Sequence, residues 1–203
     1  DLSETAVTTL AERVFYYCKS LKKFLLPKKL VSIDGYCFSN CSALEYSLEL
    51  PETLKTIGTS AFASTPVTIP HFPKSLTRIG ETAFSSGLRN ASVVLTSPKL
   101  TIGQSAFRNC RNLKAVELPV GISSLNSELF WTSPIETLIL RSATMVDNND
   151  YSIIEDASRA GITLIVPSYL VNTYKLDPYW YNFGEIKGFS TAEVTDWVIN
   201  QPL

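Results

Sequence analysis

The side chains best suited to chemistry in this sequence are few: four cysteines, a single histidine and one run of Asp and Asn. Cys18, Cys37, Cys41 and Cys110 raise disulfide and metal readings. A zinc site is disfavoured, because there is no C-x-x-C pair and no histidine near the thiols. His71 stands in Pro70-His71-Phe72-Pro73, and no motif supplies the nucleophile and orienting partner that a catalytic histidine needs. Asp147-Asn148-Asn149-Asp150, with Glu155 and Asp156, has calcium-type oxygens but lacks the glycine and terminal glutamate register of an EF-hand. A turn that caps a helix is the simpler reading. No residue set here is expected to hold a cofactor or a metal, and the chain is not expected to be an enzyme.

What these residues mean depends on the elements that carry them, and those elements repeat. Phe15, Phe38, Phe62, Phe84, Phe107 and Phe130 are separated by 23, 24, 22, 23 and 23 residues. Five residues before each lies an aliphatic: Leu10, Ile33, Ile57, Ile79, Ile102 and Leu125. The next column reads Ala11, Asp34, Gly58, Gly80, Gly103 and Asn126, types that tolerate positive φ, so a tight turn is expected there on every coil. Three residues after each phenylalanine come Cys18, Cys41, Thr65, Gly87, Cys110 and Ser133, all small. Three of the cysteines therefore belong to one repeat column and read as buried, reduced thiols. Cys18 and Cys41 lie on adjacent coils, but parallel stacking points both side chains the same way.

Each coil then carries a short apolar run, usually ending in proline: Phe24–Leu26, Leu48–Leu50, Val67–Ile69, Val93–Leu95, Val116–Leu118, Leu138–Leu140 and Leu164–Val166. Alternation places the outer two residues of each run inward and the middle one outward. Stacked coils should thus build one long parallel sheet, the fold of a solenoid in which each unit buries its apolar side only against its neighbours. The outward row is Leu25, Glu49, Thr68, Val94, Glu117, Ile139 and Ile165, flanked by Lys23, Ser47, Pro66, Ser92, Ala115, Thr137 and Thr163. A ladder of apolar and small groups with few charges is expected to be a partner-binding face, although β propensity alone favours the same residues.

Ile102-Gly103-Gln104-Ser105-Ala106-Phe107-Arg108-Asn109-Cys110-Arg111-Asn112-Leu113, running on to Leu118-Pro119, resembles the BspA-like leucine-rich repeat family. The stretches from Leu10 to Pro27 and from Ile33 to Pro51 match it well. The coils starting at Ile57 and Ile79 depart, with Pro66 and Leu88 in place of the usual Cys-x-x-Leu layout, so the turns into their strands should be reshaped. The resemblance implies a leucine-rich-repeat solenoid with short irregular returns and a helical, aromatic C-terminal cap. It also implies a bacterial cell-surface or secreted protein, often adhesive, with ligands that vary from member to member.

Residues 1–146 are read as about five and a half coils, taken as continuing upstream, and 147–203 as a final strand and cap. Within the cap, helices are expected around Tyr151–Ala160, capped by the Asp147–Asp150 cluster, at Tyr169–Leu176, capped by Ser168, and at Ala192–Ile199. Trp131, Tyr179, Trp180 and Tyr181 could stack on a sugar, but covering the last coil is the simpler role. A net charge of −1 gives no basic footprint for nucleic acid, and no apolar run is long enough for membrane insertion. The expected partner is a protein or extracellular-matrix component, with glycan binding or a structural stalk as the alternatives.

Overall fold

Phe15, Phe38, Phe62 and Phe84 each sit within three overlapping β-turns. Around Phe62, Ala61 N–H donates to Gly58 C=O, Ala63 to Ser60 and Thr65 to Phe62. The first and third of these turns place a residue with positive φ two positions before and two after the phenylalanine. Arg13 and Tyr17, Tyr36 and Asn40, Ser60 and Ser64, Thr82 and Ser86, Ser105 and Asn109, and Glu128 and Thr132 all have φ between 50° and 61°, and no glycine does. In this conformation alternate N–H groups point along the solenoid axis. Ser60, Phe62 and Ser64 donate to Glu81, Ala83 and Ser85 of the next coil, the coils of Phe15, Phe38, Phe84 and Phe107 follow the same rule, and Glu128 and Phe130 donate to Ser152 and Ile153. A left-handed non-glycine residue costs roughly 1–2 kcal/mol, and the inter-coil hydrogen bond it releases returns about 1 kcal/mol.

The expected positive φ in the glycine column is therefore corrected. The reason for glycine there is space. A Cβ on Gly80 would lie 2.5 Å from Thr59 N, and one on Gly103 would lie 2.4 Å from Glu81 N. At this column the backbones of neighbouring coils touch, and a side chain would drive them apart.

With the coils held this close, the phenylalanine rings stack face to face. Ring centroids from Phe15 through to Phe130 are 5.1, 5.3, 5.5, 5.6 and 6.0 Å apart, and the planes lie within 20° of parallel. All are fully buried except Phe15 on the first coil. Each stacked pair adds about 0.5–1.5 kcal/mol beyond the burial of its area.

The structure is a computed structural model and describes residues 1–148 and 152–190. Among these residues the strands in chain order are β1 (Thr9–Leu10), β2 (Ser32–Ile33), β3 (Thr56–Ile57), β4 (Arg78–Ile79) and β5 (Ser92–Val94). They continue with β6 (Thr101–Ile102), β7 (Ala115–Leu118), β8 (Thr137–Leu140), β9 (Thr163–Pro167) and β10 (Glu185–Phe189). Two parallel sheets result. A narrow one, β1-β2-β3-β4-β6, runs through the aliphatic column, and a wider one runs β10-β9-β8-β7-β5. The narrow sheet was not foreseen, because a two-residue strand has no alternation to read. β10 was also missed: Glu-Ile-Lys-Gly-Phe has little strand character, and it becomes a strand by pairing along the whole of β9.

The wide sheet is shorter than expected at its N-terminal end. Phe24–Leu26, Leu48–Leu50 and Val67–Ile69 are not strands, and only an isolated bridge, Ser47 with Thr68, joins any of them. The cause is unequal return length. The apolar run begins five residues after Phe62, but nine or ten after Phe15, Phe38, Phe84 and Phe107. Coil-to-coil register is lost, and Asn90 repairs part of it. Its side-chain oxygen accepts from Ile69 N–H at 2.8 Å, and its amide donates to Ile69 C=O at 2.7 Å, standing in for the missing strand neighbour.

The cap is an α-helix α1 (Asp156–Arg159), a 3₁₀ turn Ser168–Leu170 leading into α2 (Val171–Leu176), and a second 3₁₀ turn Trp180–Asn182. α1 is much shorter than the helix expected over 151–160, and neither it nor the turn at Ser168 has a side-chain cap. The expected helix at Ala192–Ile199 lies outside the described residues. What caps the solenoid is aromatic. Tyr174 Oη accepts from Val146 N–H at 2.8 Å, Trp180 Nε1 donates to Val146 C=O at 3.2 Å, and Tyr179 Oη accepts from Ile153 N–H at 3.1 Å. The cap thus pairs backbone groups beside the last coil as well as covering its apolar face.

Gly103→Ala is expected to destabilise the fold by about 2–3 kcal/mol through overpacking. Thr132→Gly, at a true left-handed position, should leave stability unchanged or raise it by about 1 kcal/mol. Chemical denaturation measures both, and the opposite ranking would restore the positive-φ reading of the glycine column.

Candidate functional site

The outward row, of which only the part from Val94 onward lies in the wide sheet, divides into two unlike halves. From β7 onward it is closed. Glu117 is 3% exposed and pairs with the guanidinium of Arg141. Ile139, Ile165 and Phe189 form a small buried cluster of their own on this outer face. Nearer the N-terminus the row is accessible: Leu25, Thr68 and Val94 are half-buried and Glu49 is exposed. The flanking positions Lys23, Ser47 and Ser92 are exposed there as well, while Pro66 and Ala115 are buried. The structure thus brings Leu25, Glu49, Thr68 and Val94 onto one accessible strip and takes Glu117, Ile139 and Ile165 out of it.

Two grooves cut into that strip where the strand ladder fails. One, of about 230 Å³, lies between the runs Phe24–Leu26 and Glu49–Pro51, with Tyr46 and Lys28 at its sides. Among the described residues, no backbone hydrogen bond joins Phe24–Leu26 to Leu48–Leu50. The second, of about 170 Å³, lies between Ile69–Phe72 and β5. Ala115 N–H donates to Ala91 C=O and Leu95 N–H to Glu117 C=O, so Ala91 and Leu95 face β7. Ser92 and Val94 consequently turn their backbone groups toward this groove. Neither groove was read from the sequence. The uneven spacing after Phe62 was the available signal.

The cysteines singled out for chemistry take structural places. All four cysteines are free. The column shared by Cys18, Cys41 and Cys110 is more specific than small size suggested: in four coils it supplies a hydrogen-bond donor. Cys41 Sγ reaches Phe15 C=O at 3.0 Å, Cys110 Sγ reaches Phe84 C=O at 3.4 Å, and Ser133 Oγ reaches Phe107 C=O at 2.7 Å. Thr65 makes the same bond to Phe38. At Gly87 a Cβ would lie only 2.5 Å from Phe62 C=O, so no side chain fits. Burial pushes the thiol of Cys41 up to about 11 and that of Cys110 up to about 12, and raises Cys37 further still. None of the three is a thiolate near neutral pH, as a nucleophile or metal ligand would have to be.

His71 Nε2 lies 3.4 Å from the Glu52 carboxylate, both exposed. No cluster of three or more His, Cys, Asp or Glu suited to a metal occurs among the described residues, and no helix there is long and apolar enough to cross a membrane. The aromatic candidates for sugar stacking separate. Trp180 is 1% exposed and packs against Tyr174, Tyr179 and Phe183, while Tyr181 is largely exposed.

The repeat is the feature by which the chain can be placed among known proteins. The model of the BspA type leucine rich repeat region matches residues 8–136 and 86–158, in six copies. The chain belongs to the BspA-type leucine-rich repeat family. This BspA-type chain is similar to a leucine-rich repeat protein from Bacteroides ovatus ATCC 8483, at 22% identity and a TM-score of 0.58. The match covers 81% of this chain and 44% of that one, so the chain spans less than half of that protein. A leucine rich cell surface protein from Faecalibacterium prausnitzii A2-165 is 15% identical over 91% of this chain and 52% of that one, with a TM-score of 0.48. No curated protein sequence matches the chain.

At pH 8, iodoacetamide should modify Cys18, the half-buried thiol, well before the other three, which should react only on unfolding; peptide mass mapping reads the order. Tyr174 is likewise raised by burial to about 12 from an ordinary 10. A folded value above the unfolded one means stability that is complete below pH 10 and lost as pH rises toward 12. The melting temperature should fall across that window, and Tyr174→Phe should flatten the fall.

Proposed function

We propose that this chain is a noncatalytic interaction module of a bacterial cell-surface or secreted protein. It binds a protein or extracellular-matrix partner across the accessible part of its sheet face. The observation that carries this reading is the asymmetry of the outward row. The same repeat position is sealed by an ion pair and a hydrophobic cluster from β7 onward, yet left open at Leu25, Glu49, Thr68 and Val94, where two grooves cut the surface. Membership of the BspA-type family supports a surface-exposed, non-enzymatic role, and the raised thiols and lone histidine argue in the same direction.

A structural stalk is the second reading. It is favoured by the continuous ladder of backbone bonds from coil to coil, which makes the solenoid a stiff spacer. Glycan binding at the cap has lost its central ring, since Trp180 is buried.

The double variant Thr68→Glu, Val94→Lys should abolish binding of the chain to whichever member of a panel of immobilised matrix proteins it recognises, with its circular dichroism melt unchanged. Undiminished binding by the folded variant would move the interface elsewhere. No binding to any panel member by the parent chain would favour the stalk.

A further inference from the structure

The wide sheet has two edges, and they are finished differently. At β10 the edge carries Glu185 and Lys187, both exposed and paired with each other at 2.8 Å, and a Cβ on Gly188 would meet Ser168 at 2.8 Å. Charges and crowding of this kind keep a strand edge from pairing with another chain. The edge at β5 has neither. Ser92 is exposed, Val94 is half-buried, and among the described residues no Asp, Glu, Lys or Arg lines the groove beside them. The one titratable side chain on its wall, His71, lies 3.4 Å from the Glu52 carboxylate.

The preceding coil begins to close this edge and then leaves it. Val67 C=O accepts from Arg89 N–H at 2.8 Å, and both backbone groups of Ile69 are taken by the Asn90 side chain. Beyond Ile69 the chain turns off through Pro70-His71-Phe72-Pro73, and the two prolines have no N–H to give. Among the described residues, no backbone group pairs with Ser92 C=O or Val94 N–H on that side. These two groups flank Val93 and face the groove. Asn90 shows the chemistry that such an edge accepts: an amide that offers one donor and one acceptor together.

We propose that an extended, uncharged segment of a partner protein adds to β5 as a further parallel strand, with one of its residues seated in this groove. This rests on the sheet-face reading above and names the partner's chemistry. In parallel pairing, a residue set opposite Val93 donates its N–H to Ser92 C=O and accepts from Val94 N–H. Paired residues point to the same face of a sheet, so its side chain descends beside Val93 toward Ile69 and Phe72. A cavity of about 150 Å³ holds a benzene-sized group, so this groove of about 170 Å³ takes one apolar side chain of modest size. A charged side chain would lose its water there without gaining a counter-ion. The residues on either side of it emerge on the accessible strip with Thr68 and Val94. Main-chain bonds hold the partner, and the seated residue sets its register.

The probe is the pentapeptide N-acetyl-Ser-Thr-Val-Thr-Ser-amide, titrated into the isotopically labelled chain and read by NMR from the amide signals of Ser92 to Leu95. Binding should be weak, with a Kd of about 1 mM, because a free peptide pays for its own ordering. The Val94 amide should shift and exchange more slowly with solvent. Replacing the central valine of the peptide by glutamate, or methylating its nitrogen, should each weaken binding about tenfold or more. In the chain, Val94→Pro should abolish binding. The N–H that proline lacks points away from β7, so the existing ladder keeps its bonds. Val94→Thr keeps the N–H and should bind as the parent does. If circular dichroism shows that Val94→Pro does not fold, the N-methyl peptide still tests the other bond of the pair on the parent chain.

Equal binding by the glutamate or the N-methyl peptide would overturn the proposal. So would signals that move elsewhere in the chain while Ser92 to Leu95 stay still, or no binding at about ten times the expected Kd. If no peptide binds while Thr68→Glu, Val94→Lys still abolishes binding to the matrix panel, the added-strand proposal falls and the sheet-face reading stands. If the valine peptide binds as expected while the double variant leaves panel binding unaffected, the groove at β5 stands and the broader sheet-face reading falls.

Discussion

The distance between successive backbones is the constraint on which everything else in this solenoid depends. Forward-pointing N–H groups of the phenylalanine turns fix it at hydrogen-bond length. Three consequences follow at once. The rings must lie flat on one another, because a tilted ring would not fit between coils five to six ångströms apart. The column that crosses the neighbouring backbone most closely has room only for small residues, which is why glycine holds it in three consecutive coils. The third consequence concerns the phenylalanine carbonyl, which faces the next coil's interior where no water reaches. It is met by the short donors Cys41, Thr65, Cys110 and Ser133. Cysteine, threonine and serine interchange there because each carries a donor within reach of that oxygen.

The sequence disclosed this frame unevenly, and the reasons are physical. The phenylalanine and aliphatic columns were legible because a packed interior tolerates only one size of side chain at each point, so type and spacing record geometry directly. The left-handed positions were not legible. Arg13, Tyr17, Tyr36 and Glu128 have no intrinsic taste for positive φ, and the conformation is imposed by hydrogen bonds to a coil more than twenty residues away. Glycine, the residue that normally signals such turns, was present for a different reason. Strand content was over-read at Phe24–Leu26 and Leu48–Leu50 because apolar alternation guarantees burial of one face but not register with a neighbour. The partner-binding row was readable as a row, but not its closure. Glu117 looked like an exposed charge until Arg141, a coil further on, was placed against it.

The functional surface emerges from the same irregularities. A perfectly regular solenoid would present a smooth sheet with every backbone group paired. Here a shortened return after Phe62 and its late compensation through Pro70-His71-Phe72-Pro73 open one groove, and the unpaired first coils open another. The phenylalanine stack passes beneath both without interruption, so the core does not register the change. Variation in this family can therefore be placed in the returns and the outer face while the ring column stays constant, a separation of stability from recognition.

The turns also give the molecule a direction. Every inter-coil bond donated by the alternate backbone N–H groups around the phenylalanines runs the same way, toward the C-terminus, and the last of them end on Ser152 and Ile153; the side-chain donors to the phenylalanine carbonyls and the N–H groups of the glycine column point back the other way. On the coil of Phe15 the carbonyl oxygens of Glu12, Val14 and Tyr16 are the acceptors a preceding coil would use, and on the coil of Phe130 the N–H groups of Glu128 and Phe130 are claimed by Ser152 and Ile153. Two such columns cannot meet end to end by two-fold rotation, since oxygen would face oxygen. A coil can be inserted or deleted in the middle of the stack, or added in the same sense, without disturbing its neighbours' bonding. The array is in this respect a one-way thread: it can lengthen by duplication of its units but cannot be closed by a mirror of its own cap.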